Sequence, residues 1–134
     1  MLVKEIMAKL VVTVGPDDRL EDVLEYLIRE RFHGAPVMDD QGELVGIISQ
    51  QDIFFGQMTR ADQTTDKPSH LSIKDIMSHP AVTTTEDTEI KKVCEVMTRL
   101  RIHRLPVIRG KKVVGIVSSL DICKAISEGT ATFE

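Results

Sequence analysis

The chain has 134 residues, a formal net charge of −4 and 42% hydrophobic residues, so surface-to-volume scaling favours one fused module over two independent domains. The balanced charges, with one Tyr and no Trp, disfavour a nucleic-acid binder. Because no apolar run approaches the roughly 20 residues of a membrane span and no signal peptide is visible, we expect a cytoplasmic protein that does not enter the membrane.

The first half of the chain predicts a β-α-β-β-α order. Residues 4–7 predict a helical turn, and residues 11–14, a β-branched run closed by Gly-Pro, predict a short strand. Over residues 20–32 apolar side chains recur at helical spacing, and Asp18 with Glu21 forms a capping-box pattern before them. The remaining predicted elements of this half are strands 35–38 and 44–48 and a helix from 49 to about 58.

The second half predicts the same order again. Its predicted elements are strand 81–84, helix 88–100, strands 105–108 and 112–117, and helix 118–127. The segment between the halves is polar and lacks periodicity, which is typical of an exposed linker. The predicted limits are 1–58 for repeat 1, 59–72 for the linker, 73–128 for repeat 2 and 129–134 for a loose tail.

The two halves are copies of one unit. Lys-Glu-Ile-Met at residues 4–7 recurs as Lys-Asp-Ile-Met at 74–77, and Gly-Ile-Ile-Ser-Gln-Gln-Asp at 46–52 recurs as Gly-Ile-Val-Ser-Ser-Leu-Asp at 115–121. Copies that each expose an apolar face can bury those faces on one another. We therefore predict a mixed α/β (α+β) fold of two βαββα repeats, packed through their sheets with pseudo-twofold symmetry.

Each copy carries Gly-x-x-Ser-x-x-Asp where a strand enters a helix. In a structural interpretation, Ser49 with Asp52 and Ser118 with Asp121 are helix capping boxes. In a functional one, the helix N-terminus binds an anion, the carboxylate accepts both hydroxyls of a ribose, and the glycine lets another group approach the backbone. Both copies keep the whole arrangement, which favours a nucleotide site.

A basic pair, His103 and Arg104, lies at a helix-to-strand joint just before Pro106. Arginine offers a planar fork of donors to phosphate, and histidine can add another donor. Alternatively, the side chains of Arg99, Arg101 and Arg104 solvate a helix end and complement its dipole. In the first copy His33 is followed by Gly34, so we expect weaker binding of phosphate in that copy.

The sequence shows no residue pattern for catalysis, metal binding or cysteine chemistry. Without a nucleophile–base pair, a P-loop or paired carboxylates, we predict no enzyme activity and no catalytic residues. The four histidines lack metal-ligand spacing, so no metal site is predicted. Cys94 and Cys123 lie in apolar helical patterns and are expected to be buried, inert thiols. The methionines, Met58 among them, are expected to fill the core.

The duplication, both Gly-x-x-Ser-x-x-Asp motifs and Ile-His-Arg-Leu-Pro-Val at 102–107 resemble a tandem CBS-domain pair, or Bateman module, over nearly the whole chain. Residues 102–122 are especially similar to the nucleotide-binding repeats of the AMP-activated protein kinase gamma subunit. The resemblance implies two clefts that each draw on both repeats. The residues implied for one are Asp121 for the ribose, Ser118, His103 and Arg104 for phosphate, and Met7, Phe32 and Ile116 around adenine. Those implied for the other cleft are Asp52, Ser49 and His33, with Met77, Ile102 and Ile47 around adenine.

The resemblance also implies a regulatory role. The ligand would be AMP, ADP or ATP, no cofactor would be required, and the module would act in trans on an unidentified effector protein. Family members of this size often form flat homodimers, and the apolar stripes at 20–32 and 90–100 are compatible with one, although the monomer's own core can absorb them. S-adenosylmethionine as the ligand, a purely structural dimerisation or interaction module, and a nucleic-acid binder stay as alternatives.

Overall fold

The computed structural model describes residues 1–9, 12–61 and 71–129. Within these ranges the helices are α1 Val3–Ile6, α2 Leu20–Glu30, α3 Gln50–Ala61, α4 Ile90–Leu100 and α5 Ser119–Ser127, with a 3₁₀ turn at Ile73–Asp75. The strands are β1 Ala8–Lys9, β2 Gly34–Met38, β3 Leu44–Ser49, β4 Thr84–Thr85, β5 Arg104–Arg109 and β6 Lys112–Ser118. None of the helices in the described ranges is long and apolar enough to cross a bilayer.

The predicted helices and hairpins are confirmed, but the first strand of each repeat is not as predicted. In the segment 11–14, residue 11 lies outside the described residues, and Val14 makes a single parallel bridge to Val37. The strand predicted at 81–84 is β4, which begins at Thr84 and pairs with β5 over two residues. A β-branched run predicts extended backbone, but pairing depends on which partners lie beside it.

Ordered structure extends into the predicted linker 59–72 from both sides. α3 continues to Ala61, past the predicted start of the linker. At the other end Leu71 is buried, and its carbonyl oxygen accepts a hydrogen bond from the Leu20 amide at 3.2 Å. The middle of the predicted linker, residues 62–70, and the tail residues 130–134 lie outside the described residues.

The chain divides into two compact units. One, which we call the split unit, comprises Met1–Val11 and Val82–Glu134, and the other, the continuous unit, comprises Val12–Ala81. These units do not follow the limits of the sequence repeats. The opening segment of repeat 1 belongs to the unit built from repeat 2, and the opening segment of repeat 2 belongs to the unit built from repeat 1.

The split unit contains a four-stranded sheet in the order β1-β6-β5-β4. β1 pairs antiparallel with β6 and places Ala8 opposite Ile116, while β5 pairs antiparallel with β6 and places Arg104 opposite Ser118. The buried core residues of this unit are Val3, Ile90, Val93, Met97, Leu105, Val107, Val117 and Ile122. The core therefore holds α1, α4 and α5 against the sheet, because each of these helices supplies at least one of its residues.

The continuous unit is built on the β2–β3 hairpin. At its turn Gly42 takes a left-handed φ of 77°, and the Asp39 amide donates to the Glu43 carbonyl oxygen at 2.9 Å. An antiparallel bridge between Ile47 and Ser78 brings the opening segment of repeat 2 alongside β3. The buried core residues of this unit are Val12, Val14, Leu20, Val23, Leu27, Ala35, Val37, Ile48, Ile53, Leu71 and Ile73.

The capping box predicted from Asp18 and Glu21 does not form. The Asp18 carboxylate accepts instead from the Gly15 amide at 2.7 Å, within the turn that precedes α2. The residue at the cap is Arg19, which makes no side-chain cap bond and pairs with the Glu21 carboxylate at 2.6 Å. The turn competes for the aspartate because short acidic side chains readily bond to nearby backbone amides.

The apolar stripes expected for a homodimer lie in the cores of their own units, as the monomer alternative allowed. The α2 stripe belongs to the core of the continuous unit and the α4 stripe to that of the split unit. The large exposed apolar side chains of the helices are Ile28, Phe54, Phe55, Met58, Leu100, Leu120 and Ile126. The prediction that Met58 fills the core is therefore wrong, since its side chain is 66% exposed.

Candidate functional site

The Ser118–Asp121 junction of the split unit is a complete helix cap. Ser118 Oγ accepts from the Asp121 amide at 3.1 Å, and Asp121 Oδ2 accepts from the Ser118 amide at 2.9 Å. β6 delivers Ser118 and α5 starts at Ser119, so the motif joins a strand to a helix. The structural interpretation of this motif is confirmed.

The Ser49–Asp52 junction of the continuous unit has the same geometry. Ser49 Oγ accepts from the Asp52 amide at 3.1 Å, and Asp52 Oδ2 accepts from the Ser49 amide at 3.1 Å. Both serines and both aspartates are partly buried. The two repeats therefore present the same hydroxyl and carboxylate at the start of a helix.

Capping does not use the whole polar capacity of these junctions. In the described part of the chain, the second carboxylate oxygen, Oδ1, of Asp121 and of Asp52 makes no hydrogen bond. Each capping serine accepts a bond and still carries a hydroxyl hydrogen that it can donate. A carboxylate oxygen accepts more than one hydrogen bond, so the aspartate of each junction keeps acceptor capacity beyond the cap.

The predicted basic pair lies at the junction of the split unit. Arg104 begins β5 directly opposite Ser118, and the His103 carbonyl oxygen accepts from the Ser119 amide at 2.9 Å. These two contacts bring Ser118, Asp121, His103 and Arg104 together, as expected. The His103 side chain is exposed, and that of Arg104 is partly buried.

The corresponding place in the continuous unit has no room for a second basic side chain. Gly34 lies opposite Ser49, and the His33 carbonyl oxygen accepts from the Gln50 amide at 2.8 Å. A Cβ on Gly34 would come 2.5 Å from the Ile48 carbonyl oxygen. The glycine is therefore a packing requirement, which sequence comparison of the two copies did not reveal.

The glycine of each Gly-x-x-Ser-x-x-Asp motif lets another group approach the backbone closely, as expected, and that group belongs to the chain itself. A Cβ on Gly115 would lie 2.7 Å from the Ala8 carbonyl oxygen and 2.9 Å from Met7 Sδ. A Cβ on Gly46 would lie 2.6 Å from Met77 Sδ and 2.8 Å from the Ser78 carbonyl oxygen. The group that approaches the backbone is the chain's own opening segment.

The same contacts place two pairs of the residues predicted around adenine. Met7 adjoins Gly115, the neighbour of Ile116, and Met77 adjoins Gly46, the neighbour of Ile47. All four of these apolar side chains are partly buried. Each unit therefore has a methionine and an isoleucine next to its junction, and an apolar surface of this kind suits a purine ring.

Phe32 and Ile102 were expected to complete the cleft of the other repeat. Phe32 packs against the core of the continuous unit, and Ile102 packs against that of the split unit. Their predicted role around adenine stays a prediction. A cavity of about 270 Å³ in the continuous unit includes none of the predicted residues; it is lined by Thr13, Val14, Asp18, Arg19, Asp22, Val23 and Tyr26.

The fold and the junctions define a duplicated α/β module whose two units repeat the same polar helix start. The chain belongs to the CBS-domain family, because the family profile matches residues 3–57 and residues 73–128. An inosine-5'-monophosphate dehydrogenase of Methanocaldococcus jannaschii is 31% identical over 121 residues, which are 90% of this chain and 22% of the dehydrogenase. The chain spans less than half the length of the first curated relatives that it matches.

Solved structures of CBS domain pairs have the same fold. The CBS domain pair of protein MJ0100, in complex with 5'-methylthioadenosine and S-adenosyl-L-methionine, matches with a TM-score of 0.84 and 28% identity, covering 96% of this chain and 98% of that one. The structure of CBSX2 in complex with AMP matches with a TM-score of 0.82 and 22% identity, covering 97% and 98%. At that lower identity, the second likeness shows the fold alone.

Proposed function

We propose that this chain is a regulatory module that senses an adenine nucleotide, AMP, ADP or ATP, by binding it at the Ser118–Asp121 junction. The observation that carries the proposal is the unused Oδ1 oxygen of Asp121, held in place by a completed helix cap. A carboxylate that is already oriented loses little freedom when it accepts the two hydroxyls of a ribose. The cap therefore preorganises the carboxylate.

Two neighbouring features and one similar structure support the assignment. Met7 and Ile116 supply an apolar surface for adenine. Arg104, directly opposite Ser118, and the exposed His103 supply cationic or hydrogen-bonding groups for phosphate. The ligands of the MJ0100 domain pair both contain an adenosine group, which is the part of the ligand that Asp121 would recognise.

The continuous unit would bind the same class of ligand less tightly. Asp52 offers the same free oxygen as Asp121, but Gly34 stands where the other unit has an arginine. Each charge-assisted bond to phosphate is worth about 1.5–3 kcal/mol, so losing one lowers affinity by at least about tenfold. A ligand with fewer phosphates would lose less.

The proposal also covers the location, the oligomeric state and the partner of the module. We place it in the cytoplasm as a homodimer that acts on an effector protein in trans, without enzyme activity or a required cofactor. The exposed side chains Phe54, Phe55 and Met58 on α3 offer an apolar face that a second copy can cover. Ligand binding would regulate the effector by favouring one of two arrangements of the protein.

Isothermal titration with AMP and with ATP tests the site through Asp121→Asn. The asparagine keeps an oxygen for the Ser118 amide but loses the charge and the spare acceptor. If Asp121 holds the ribose, the Kd rises by about 10- to 100-fold, which corresponds to a charged hydrogen bond. The matched control is Asp87→Asn, since Asp87 is exposed and pairs with Lys4 at 3.2 Å on the surface of the same unit. Equal affinity of wild type and Asp121→Asn would contradict the assignment.

The second candidate is a structural interaction module without a ligand, and the completeness of both capping boxes favours it. A thermal-shift series with AMP, ATP and S-adenosylmethionine separates the two functions. A ligand present at a hundredfold excess over its Kd adds about 2.7 kcal/mol of stability, which raises the Tm by on the order of 10 °C in a chain of this size. An unchanged Tm with all three compounds supports the structural module. A rise in Tm with S-adenosylmethionine alone identifies that compound, and not a nucleotide, as the ligand.

A further inference from the structure

The two cysteines of the chain lie on neighbouring helices of the split unit. Cys94 is on α4 and packs against the core cluster that contains Ile122 of α5. Cys123 follows Ile122 directly in the sequence. Contact between α4 and α5 places the two cysteines on adjacent helices of one unit.

Both thiols are accessible to a small reagent. Cys123 is exposed, which contradicts the expectation that both thiols are buried, and Cys94 is half-buried. A cavity of about 460 Å³ opens beside Cys94, and its lining residues are Lys91, Cys94, Glu95, Thr98 and Arg99. Lys91 and Arg99 outnumber the one acidic side chain, Glu95, so the lining has a net positive charge, which suits an anionic disulfide such as oxidised glutathione.

The surroundings of Cys94 make its thiol harder to ionise. Burial raises the pKa of the Cys94 thiol, and the negative charge of an ionised Cys123 raises it further. Such a charge interaction requires that the two groups be near one another. Cys94 is therefore less ionised than an ordinary exposed cysteine, and the exposed Cys123 is the thiol that reacts first.

The other repeat shows that this pair of thiols is not needed for folding. Leu24 and Phe54 occupy the matching positions in the continuous unit. Leu24 packs against the core of that unit, and Phe54 is 48% exposed. The same helix pair accepts two apolar side chains, so Cys94→Leu and Cys123→Phe are variants that this fold already accommodates elsewhere.

We propose that Cys94 and Cys123 form a redox-active dithiol that low-molecular-weight disulfides oxidise to an intramolecular disulfide. The Cys123 thiolate attacks one sulfur of the reagent, a mixed disulfide forms, and the first reagent thiolate leaves. Cys94 then gives up its proton to solvent and attacks the Cys123 sulfur, and the second thiolate leaves. The cysteines lose two electrons and two protons, and the reagent is reduced to two thiols.

The disulfide would join α4 to α5, the helix that begins at the Ser118–Asp121 junction. Formation of this disulfide requires only the two thiols and does not depend on nucleotide binding. The disulfide can therefore form in a protein that binds no nucleotide, and a protein that binds a nucleotide can lack the disulfide.

Treatment of the fully reduced protein with oxidised glutathione tests the reaction. In the wild type we expect both thiols to disappear in a thiol assay under denaturing conditions, the mass to fall by two hydrogen atoms, and the band to remain monomeric on a non-reducing gel. Cys94→Leu should instead retain glutathione on Cys123, and Cys123→Phe should lose its remaining thiol more slowly than Cys94→Leu, because the raised pKa of Cys94 leaves less thiolate. A wild-type protein that keeps glutathione, forms a covalent dimer or does not react would overturn the proposal.

Dibromobimane provides a second test that needs no oxidant, because the reagent fluoresces strongly only after both of its arms have alkylated thiols. We expect fluorescence from the native wild type and none from Cys94→Leu or Cys123→Phe. A native wild type without fluorescence would show that the thiols are too far apart, which overturns the proposal. Circular dichroism melting of each variant confirms that the comparison is between folded proteins.

Discussion

Replacing Gly115 by alanine tests whether this glycine is present to admit β1. The added Cβ would lie 2.7 Å from the Ala8 carbonyl oxygen and 2.9 Å from Met7 Sδ, so β1 must move away from β6. Overpacking of this kind costs about 1–3 kcal/mol, and each β1 hydrogen bond that is lost adds about 0.5–1.5 kcal/mol. We expect the free energy of unfolding to fall by about 1.5–4.5 kcal/mol, the sum of these two costs when one bond breaks.

Gly110→Ala in the same unit is the matched control. Gly110 takes a left-handed φ of 65° and has open space where a Cβ would lie, so its replacement costs only the backbone strain, about 1 kcal/mol. Urea denaturation gives both free energies. Hydrogen exchange should show faster exchange of the β1 amides in Gly115→Ala and unchanged exchange in Gly110→Ala. Equal destabilisation by the two variants, with β1 still protected, would refute the reasoning.

Three further predictions concern stability and assembly. Arg101→Gly should raise the free energy of unfolding in urea by about 1 kcal/mol, because Arg101 ends α4 at a left-handed φ of 56° that glycine adopts without strain; a loss of stability would contradict this. Ser118→Ala should lower it by about 1 kcal/mol through loss of the cap on the Asp121 amide, and an unchanged midpoint would show that the cap contributes nothing. Light scattering should show a dimer for the wild type and a monomer when Phe54, Phe55 and Met58 all become serine; a dimer of unchanged mass would exclude the α3 face.

Much of the fold could be predicted because its helices and hairpins carry local signals. The α2 and α4 stripes follow from apolar spacing, and the turn at Gly42 follows from its Asp and Gly content. The first strands were less predictable. A run such as residues 11–14 encodes extended backbone, but its pairing depends on strands that are distant in the sequence.

The residues of the candidate site could be predicted, but their arrangement in space could not. The Ser118–Asp121 motif and the pair His103 and Arg104 could be read from the sequence, since both are local patterns. That Arg104 faces Ser118 depends on the register of β5 with β6, which a turn of unknown length leaves open. The role of Gly115 depends on β1, which lies more than a hundred residues earlier in the chain.

The exposure of Cys123 could not be predicted for a different reason. An apolar spacing defines a helical stripe, but a small residue at its edge fits the pattern whether it faces the core or the solvent. Ile122 and Ala125 are the buried residues of α5, and Cys123 lies beside this stripe. Its exposure is therefore a property of the tertiary structure.

The exchanged opening segments have a consequence for how such a chain can be divided. A fragment cut at the linker would keep Gly115 but lose Val3, which is completely buried in the split unit, and with it β1. The other fragment would likewise lose Ile73 from its core. One repeat by itself would therefore lack part of its core, which the opening segment of another copy could supply. Fusion of two repeats in one polypeptide makes that exchange intramolecular and frees the fold from its dependence on protein concentration.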